Sequence, residues 1–211
     1  MLNEIRNYLD FAGLQYCNPD KAGEEREKML ELRHKGQEAR KAFTELAKAF
    51  QASHPEWQLQ QTSQWMNQAQ RLRPHFWVYL QRDGQVTEPM LALRLYGSPS
   101  DFGVSLEVSF IERKKDEQTL GKQAKVLEVL AVEGIYYLVY YNGQSQRWEA
   151  NEENRQILIE KIGSQEIRKV LVKADVPVTA NLSEEEIVEG ILKSYAKILP
   201  YYLATRKLDN P

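Results

Sequence analysis

Glu112 and Lys114 stand two residues apart at the end of an apolar, strand-like run, Val104 to Ile111. Residues at that spacing on a strand point to the same face, so a carboxylate and an ammonium converge there. With a second carboxylate from Glu88 or Asp101, Glu112 can hold Mg²⁺. Lys114 can then orient a water and offset the charge that develops during phosphodiester hydrolysis. A second constellation lies inside the same run. Ser105, Glu107 and Ser109 share one face of the strand, opposite Val104, Leu106, Val108 and Phe110. These polar residues can line a ligand pocket with Arg94 as counter-charge, although a strand with one face in the core and one in solvent alternates in the same way.

A third constellation is aromatic. Phe76, Trp77, Tyr79, Tyr96, Tyr136, Tyr137, Tyr140 and Tyr141 crowd onto neighbouring strands, with Arg71, Arg73 and Arg94 nearby. Rings interleaved with guanidinium groups can stack the bases of single-stranded nucleic acid. The same residues also suit a sheet covered by helices on both sides, which is the preferred expectation.

The elements that must position these groups follow from periodicity. Asn3 to Phe11 reads as a short helix, and the Cys17-Asn-Pro-Asp-Lys21 stretch as a turn. From Glu24, Met29, Leu32, Ala39, Phe43, Leu46 and Phe50 recur at helical steps, with Gly36 in the one gap; His54-Pro55 ends the pattern. This stripe over residues 24–50 can serve as a homodimer seam, but its Ala and Gly positions favour packing on its own sheet. The Gln-rich stretch Gln58 to Gln70 reads as a second helix. From Pro74 the period drops to two. Strands are expected at 75–80, 90–96 and 103–111 with a hairpin signal at Asp83-Gly84, then a helix over 119–132 and a strand over 135–141. Asn142-Gly143 signals another hairpin, Asn151 a helix cap, 170–173 a strand, and Ser183-Glu-Glu-Glu186 a capping box. The helix it opens carries Ile187, Ile191, Tyr195 and Ile198 and is expected to stop at Pro200.

Strand, Glu112-Arg-Lys114, a helix bearing Gln123, then an aromatic strand is an order that resembles the active-site region of metal-dependent nucleases of the PD-(D/E)xK type. The resemblance covers about 60 residues and implies Glu112 with Glu88 or Asp101 as Mg²⁺ ligands, Lys114 as the catalytic cation and Gln123 in support. Asp101 opens the same strand as Glu112, and Ser100 separates it from Pro99.

Composition bounds the rest. The chain has 211 residues, 42% of them hydrophobic, enough for a substantial core. A formal charge of −2 argues against coating nucleic acid or an anionic membrane by bulk charge. Cys17 is the sole cysteine, so no internal disulfide forms, and no apolar run approaches membrane-spanning length. Three scattered histidines without cysteine partners do not make a zinc site, and no phosphate-binding glycine loop or Gly-x-Ser-x-Gly motif occurs. The expectation is one α+β domain over 1–211: a mainly antiparallel sheet of about five or six strands within 74–175, helices at 1–55 (an arm if they stand apart) and a closing helix at 183–203. Its expected role is that of a cytoplasmic, non-catalytic binding or accessory module contacting no membrane and needing no cofactor. Its ligand face is built from Arg94, Ser105, Glu107, Ser109 and Gln123, and nucleic acid ranks as a secondary partner. The alternative is a Mg²⁺-dependent nuclease or a catalytically decayed relative.

Overall fold

The structure, a computed structural model, describes residues 2–82, 84–179 and 182–206. Its strands are β1 (Gln58–Leu59), β2 (Trp77–Gln81), β3 (Met90–Ser98), β4 (Asp101–Ser109), β5 (Tyr136–Tyr141), β6 (Gln144–Glu149) and β7 (Val170–Pro177). They form one antiparallel sheet in the order β1-β2-β3-β4-β7-β5-β6. The helices are α1 (Leu2–Leu9), α2 (Arg26–Ser53), α3 (Thr119–Ala124), α4 (Glu152–Gly163) and α5 (Glu184–Thr205). The class is the expected α+β. The sheet exceeds five or six strands because Gln58–Leu59, expected in a helix, pairs with Leu80–Gln81 as a short edge.

Alternation sorts the sheet into two unlike faces. Leu91, Leu93 and Leu95 on β3, Val104, Leu106 and Val108 on β4, and Val172, Ala174 and Val176 on β7 point to one side, into a common core. Ile187, Ile191 and Ile198 of α5, Phe43 and Phe50 of α2, and Ile5 and Tyr8 of α1 fill that core from the helix layer. Each such buried side chain contributes on the order of 1.5–3 kcal/mol. The first 55 residues therefore do not project as an arm, since α1 and α2 share the core of the sheet. The α2 stripe is likewise consumed within the chain: Met29, Leu32, Ala39, Leu46 and Phe50 are buried, so they are unavailable as a homodimer seam. Gly36 has a packing reason. A Cβ there would lie 2.6 Å from the Trp65 ring, which occupies the gap in the stripe.

Several element expectations change. Residues 60–73 run irregularly, pinned by Tyr8 Oη donating to the Trp65 carbonyl (2.5 Å) and by Arg40 donating to the Thr62 and Ser63 carbonyls. That is how a Gln-rich segment without a continuous apolar stripe is held. The helix expected over 119–132 is only α3 plus a 3₁₀ turn at Lys125–Glu128. Pro200 lies inside α5 and does not end it; buried Tyr201 and Tyr202 anchor the last turn through the Leu130 and Arg82 carbonyls. Asn142 and Gly143 both take positive φ (52° and 79°), as a tight turn between β5 and β6 requires. The link from β2 to β3 spans 82–89; Asp83, half of the expected hairpin signal, lies outside the described residues. The Asn151 cap and the Ser183–Glu186 capping box form as expected. No helix among the described residues is long and apolar enough to cross a membrane.

Candidate functional site

On the opposite face the register brings together residues from five strands. Tyr79, Ala92, Glu107, Lys173 and Tyr136 are successive cross-strand partners from β2 to β5, and Trp77, Arg94, Ser105 and Asp175 make the adjacent row. The side chains that the helices bury belong to the core on the other side. Met90, Ala92, Phe110 and Tyr136 are buried outside that core. The aromatic residues thus divide by face. Phe76 and Tyr137 are fully buried toward the helices, whereas Trp77, Tyr79 and Tyr96 are half-buried on the helix-free side. A sheet covered on both sides, the preferred sequence expectation, is not what forms.

At the centre of this face, in the middle strand β4, Glu107 is 0% exposed. Arg94 donates from Nε (3.1 Å) and Nη2 (3.0 Å) to Oε1, and Lys173 Nζ lies 2.8 Å from Oε2. The Lys173 contact is an ion pair without good hydrogen-bond alignment, which leaves Oε2 short of a well-directed donor. Burial works to raise the Glu107 carboxyl, but the two cations outweigh it and hold it below the usual carboxylate range. Burial likewise works against the Arg94 charge, and Glu107 more than restores it. One carboxylate set between two basic side chains gives the cluster a formal charge of plus one. Burial and the nearby Arg94 and Lys173 charges lower His75, which favours its neutral form.

Around this centre the cations lie on rings. Arg73 and Arg94 lie 4.8 and 5.3 Å from the Trp77 ring centroid, and Arg147 lies 3.6 Å from that of Tyr136. Tyr136 Oη donates to Asp175 (3.0 Å), which Arg147 also holds (2.6 Å). Burial, then Asp175, raises Tyr136 strongly, and burial pushes Tyr96 up to about 12, so both keep their protons. Gly103 is required here because the Tyr96 ring lies where its Cβ would stand.

Of the ligand residues expected from sequence, Arg94, Ser105 and Glu107 are brought together, and Ser109 shares their face beside Met90. Ser105 Oγ donates to the Arg94 carbonyl (3.3 Å). Gln123 is elsewhere. Buried in α3, it donates to the Val108 and Val170 carbonyls (3.1 and 2.8 Å), bridging β4 and β7 where their pairing ends. Lys173, in the strand expected at 170–173, is a site residue that the sequence does not single out; its alignment with Glu107 depends on β4–β7 pairing, a contact between distant segments that no local pattern announces.

The Glu112 constellation is arranged differently from its sequence expectation. Glu112 and Lys114 lie in a turn beyond β4, so the same-face spacing of a strand does not apply. Glu112 is paired with Arg168 (2.7 and 2.8 Å), with Lys169 and with Lys115 (3.7 Å). Glu88 is paired with Lys122 (2.5 Å) and Arg206 (3.3 Å). Asp101 begins β4, the length of a nine-residue strand away from Glu112, roughly 27 Å. The three carboxylates therefore do not converge, and the described residues include no group of three His, Cys, Asp or Glu placed to hold a metal ion. The 112–114 turn does reach the rim of the helix-free face. Tyr79 Oη donates to the Phe110 carbonyl (3.4 Å), and Lys169 lies 5.2 Å from the centroid of the Phe110 ring.

A groove of about 500 Å³ lies among the helices, lined by Leu127, Glu128, Arg155, Ile159 and Ile162. It contains none of the residues of the Glu107 centre. The chain matches no protein-family model, and no curated protein sequence is significantly similar to it.

Proposed function

We propose that the protein is a non-catalytic binding module whose helix-free sheet face contacts an anionic ligand. The observation that carries this reading is the Arg94–Glu107–Lys173 cluster. Burying charge is costly unless it is paired, and one carboxylate between two cations leaves a positive excess at the middle of a sheet. A phosphate or carboxylate at the edge of that cluster neutralises the excess through charge-assisted hydrogen bonds from Arg94, which retains 28% side-chain exposure. The surrounding rings and the Asp175–Arg147 pair supply shape and further polar contacts.

A Mg²⁺-dependent nuclease, or a decayed relative, requires Glu112 and a second carboxylate on one cation. Glu112 faces Arg168 and Lys169 while Glu88 faces Lys122, so no observation favours that reading over binding.

NMR titration of the arginine Nε–H and tryptophan indole signals tests the binding reading, with inorganic phosphate, succinate and a nucleoside monophosphate as probes. At least one probe is expected to shift the Arg94 and Trp77 signals saturably while leaving Arg155, in the helix groove, unchanged. Shifts confined to Arg155, or no saturable shift with any probe, would overturn it.

A further inference from the structure

We infer that the ligand of this face is a single strand of nucleic acid lying across the sheet, a phosphate at the exposed edge of Arg94 and bases against Trp77, Tyr79 and the Arg147 guanidinium that covers Tyr136. This deepens the binding-module reading above and rests on it. The charge distribution supports it. The chain as a whole is acidic by two charges, yet this face concentrates cations at its centre and, through Arg168 and Lys169, on its rim. Bulk charge is therefore kept from attracting polyanions generally, while a local stripe attracts one.

The rings supply the second argument. Guanidinium-on-ring pairs at Trp77 and Tyr136 present flat surfaces on which any base can stack. Trp77 is on β2 and Tyr136 on β5, with β3, β4 and β7 between them; four interstrand steps make roughly 19 Å. A mononucleotide cannot reach both guanidinium–ring pairs, whereas an oligonucleotide can, and the positive centre lies between them. A duplex hides its base faces within its own stack and cannot lay them on Trp77 or on the Arg147 guanidinium. Tyr140, exposed and on this face by register, offers a further ring for stacking.

The test is fluorescence anisotropy with labelled twelve-residue oligothymidine and oligouridine, a twelve-base-pair duplex, and inorganic polyphosphate as competitor. Single strands are expected to bind at least tenfold more tightly than the duplex, and the affinity should fall with salt as phosphate contacts demand. Polyphosphate should compete poorly. Trp77→Ala should weaken binding about tenfold or more. Arg147→Ala, at a side chain that is itself exposed, should weaken it severalfold and guards against a folding artefact in the first variant, provided that its melting temperature matches wild type. The inference is overturned if neither variant changes single-strand affinity, or if the duplex or polyphosphate binds equally well. If mononucleotides shift Arg94 but oligonucleotides bind no more tightly, this inference alone fails and the face is a small-anion site. If no probe reaches the face, the binding-module reading fails with it.

Discussion

Glu107 and Glu112 are five residues apart, and each is gripped by more than one cation, yet they do different things. Glu107 sits in the middle of the sheet at 0% exposure, its carboxylate divided between Arg94 and Lys173. Glu112 lies in a turn with a side chain 42% exposed, among Arg168, Lys169 and Lys115. In both, burial works to raise the carboxyl and the neighbouring cations more than offset it. Water decides the consequence. At the turn it screens the ions and would hydrate either partner if the other left, so the pairing adds little. In the sheet no water replaces a lost partner, and the cluster is fixed in place once the strands pair.

Removing one member of each cluster should break this comparison most sharply. Glu107→Ala leaves the buried Lys173 and the partly buried Arg94 without their carboxylate and should cost about 3–5 kcal/mol. For a chain of this length that lowers the melting temperature by roughly 6–20 °C. A calorimetric loss below about 1 kcal/mol would mean that the centre is as hydrated as the turn.

Acidification probes the same groups on a smaller scale, since each unit of pKa shift is worth about 1.4 kcal/mol. The folded-state Glu107 carboxyl lies below its ordinary value of 4.5, so its stabilisation is present above that pH and is lost as pH falls through the folded value. His75 is also lowered, from an ordinary 6.5, so the unfolded chain gains a proton first and stability begins to decline near that pH. Urea melts between pH 7 and 3 should show the decline in two stages, the upper absent in His75→Gln.

At the exposed cluster, Glu112→Gln should change stability by no more than about 1 kcal/mol. In 1 M salt, where the screening length is about 3 Å, the difference should vanish, while the Glu107→Ala deficit should persist. The smallest expected effect concerns metal. Millimolar Mg²⁺ should shift the melting temperatures of wild type and Glu112→Gln equally, and a shift seen only in wild type would return Glu112 to the role of a metal ligand.

Where a signal is local, the sequence carried it. The Asn142-Gly143 turn, the Ser183–Glu186 capping box, the break at His54-Pro55 and the sorting of polar and apolar side chains to opposite faces of β4 each depend on a few neighbouring residues, and each appears in the structure, although both faces of β4 are buried. Misreadings arose where tertiary contacts override local preference. Gln58–Gln70 has helix-forming side chains, but Trp65 is drawn onto Gly36 and the backbone is held by Tyr8 and Arg40. Pro200 lacks a donor, yet the burial of Tyr201 and Tyr202 carries α5 past it. In the candidate site, Arg94, Ser105 and Glu107 were legible because a hairpin-like pairing joins neighbouring segments. Gln123 was misplaced because its buried amide serves strand carbonyls.

By itself the sequence determined an α+β chain with an antiparallel sheet, the polar stripe of β4 and the starts of the helices that form, since side-chain period and capping chemistry act within a few residues. Only the tertiary structure decided which side of the sheet the helices cover, that Lys173 meets Glu107, and that Glu112, Glu88 and Asp101 stay apart. Those outcomes depend on β7 inserting between β4 and β5, pairings of segments more than sixty residues apart with β4 and more than thirty with β5, selected by burial of the whole apolar face and not by any local preference.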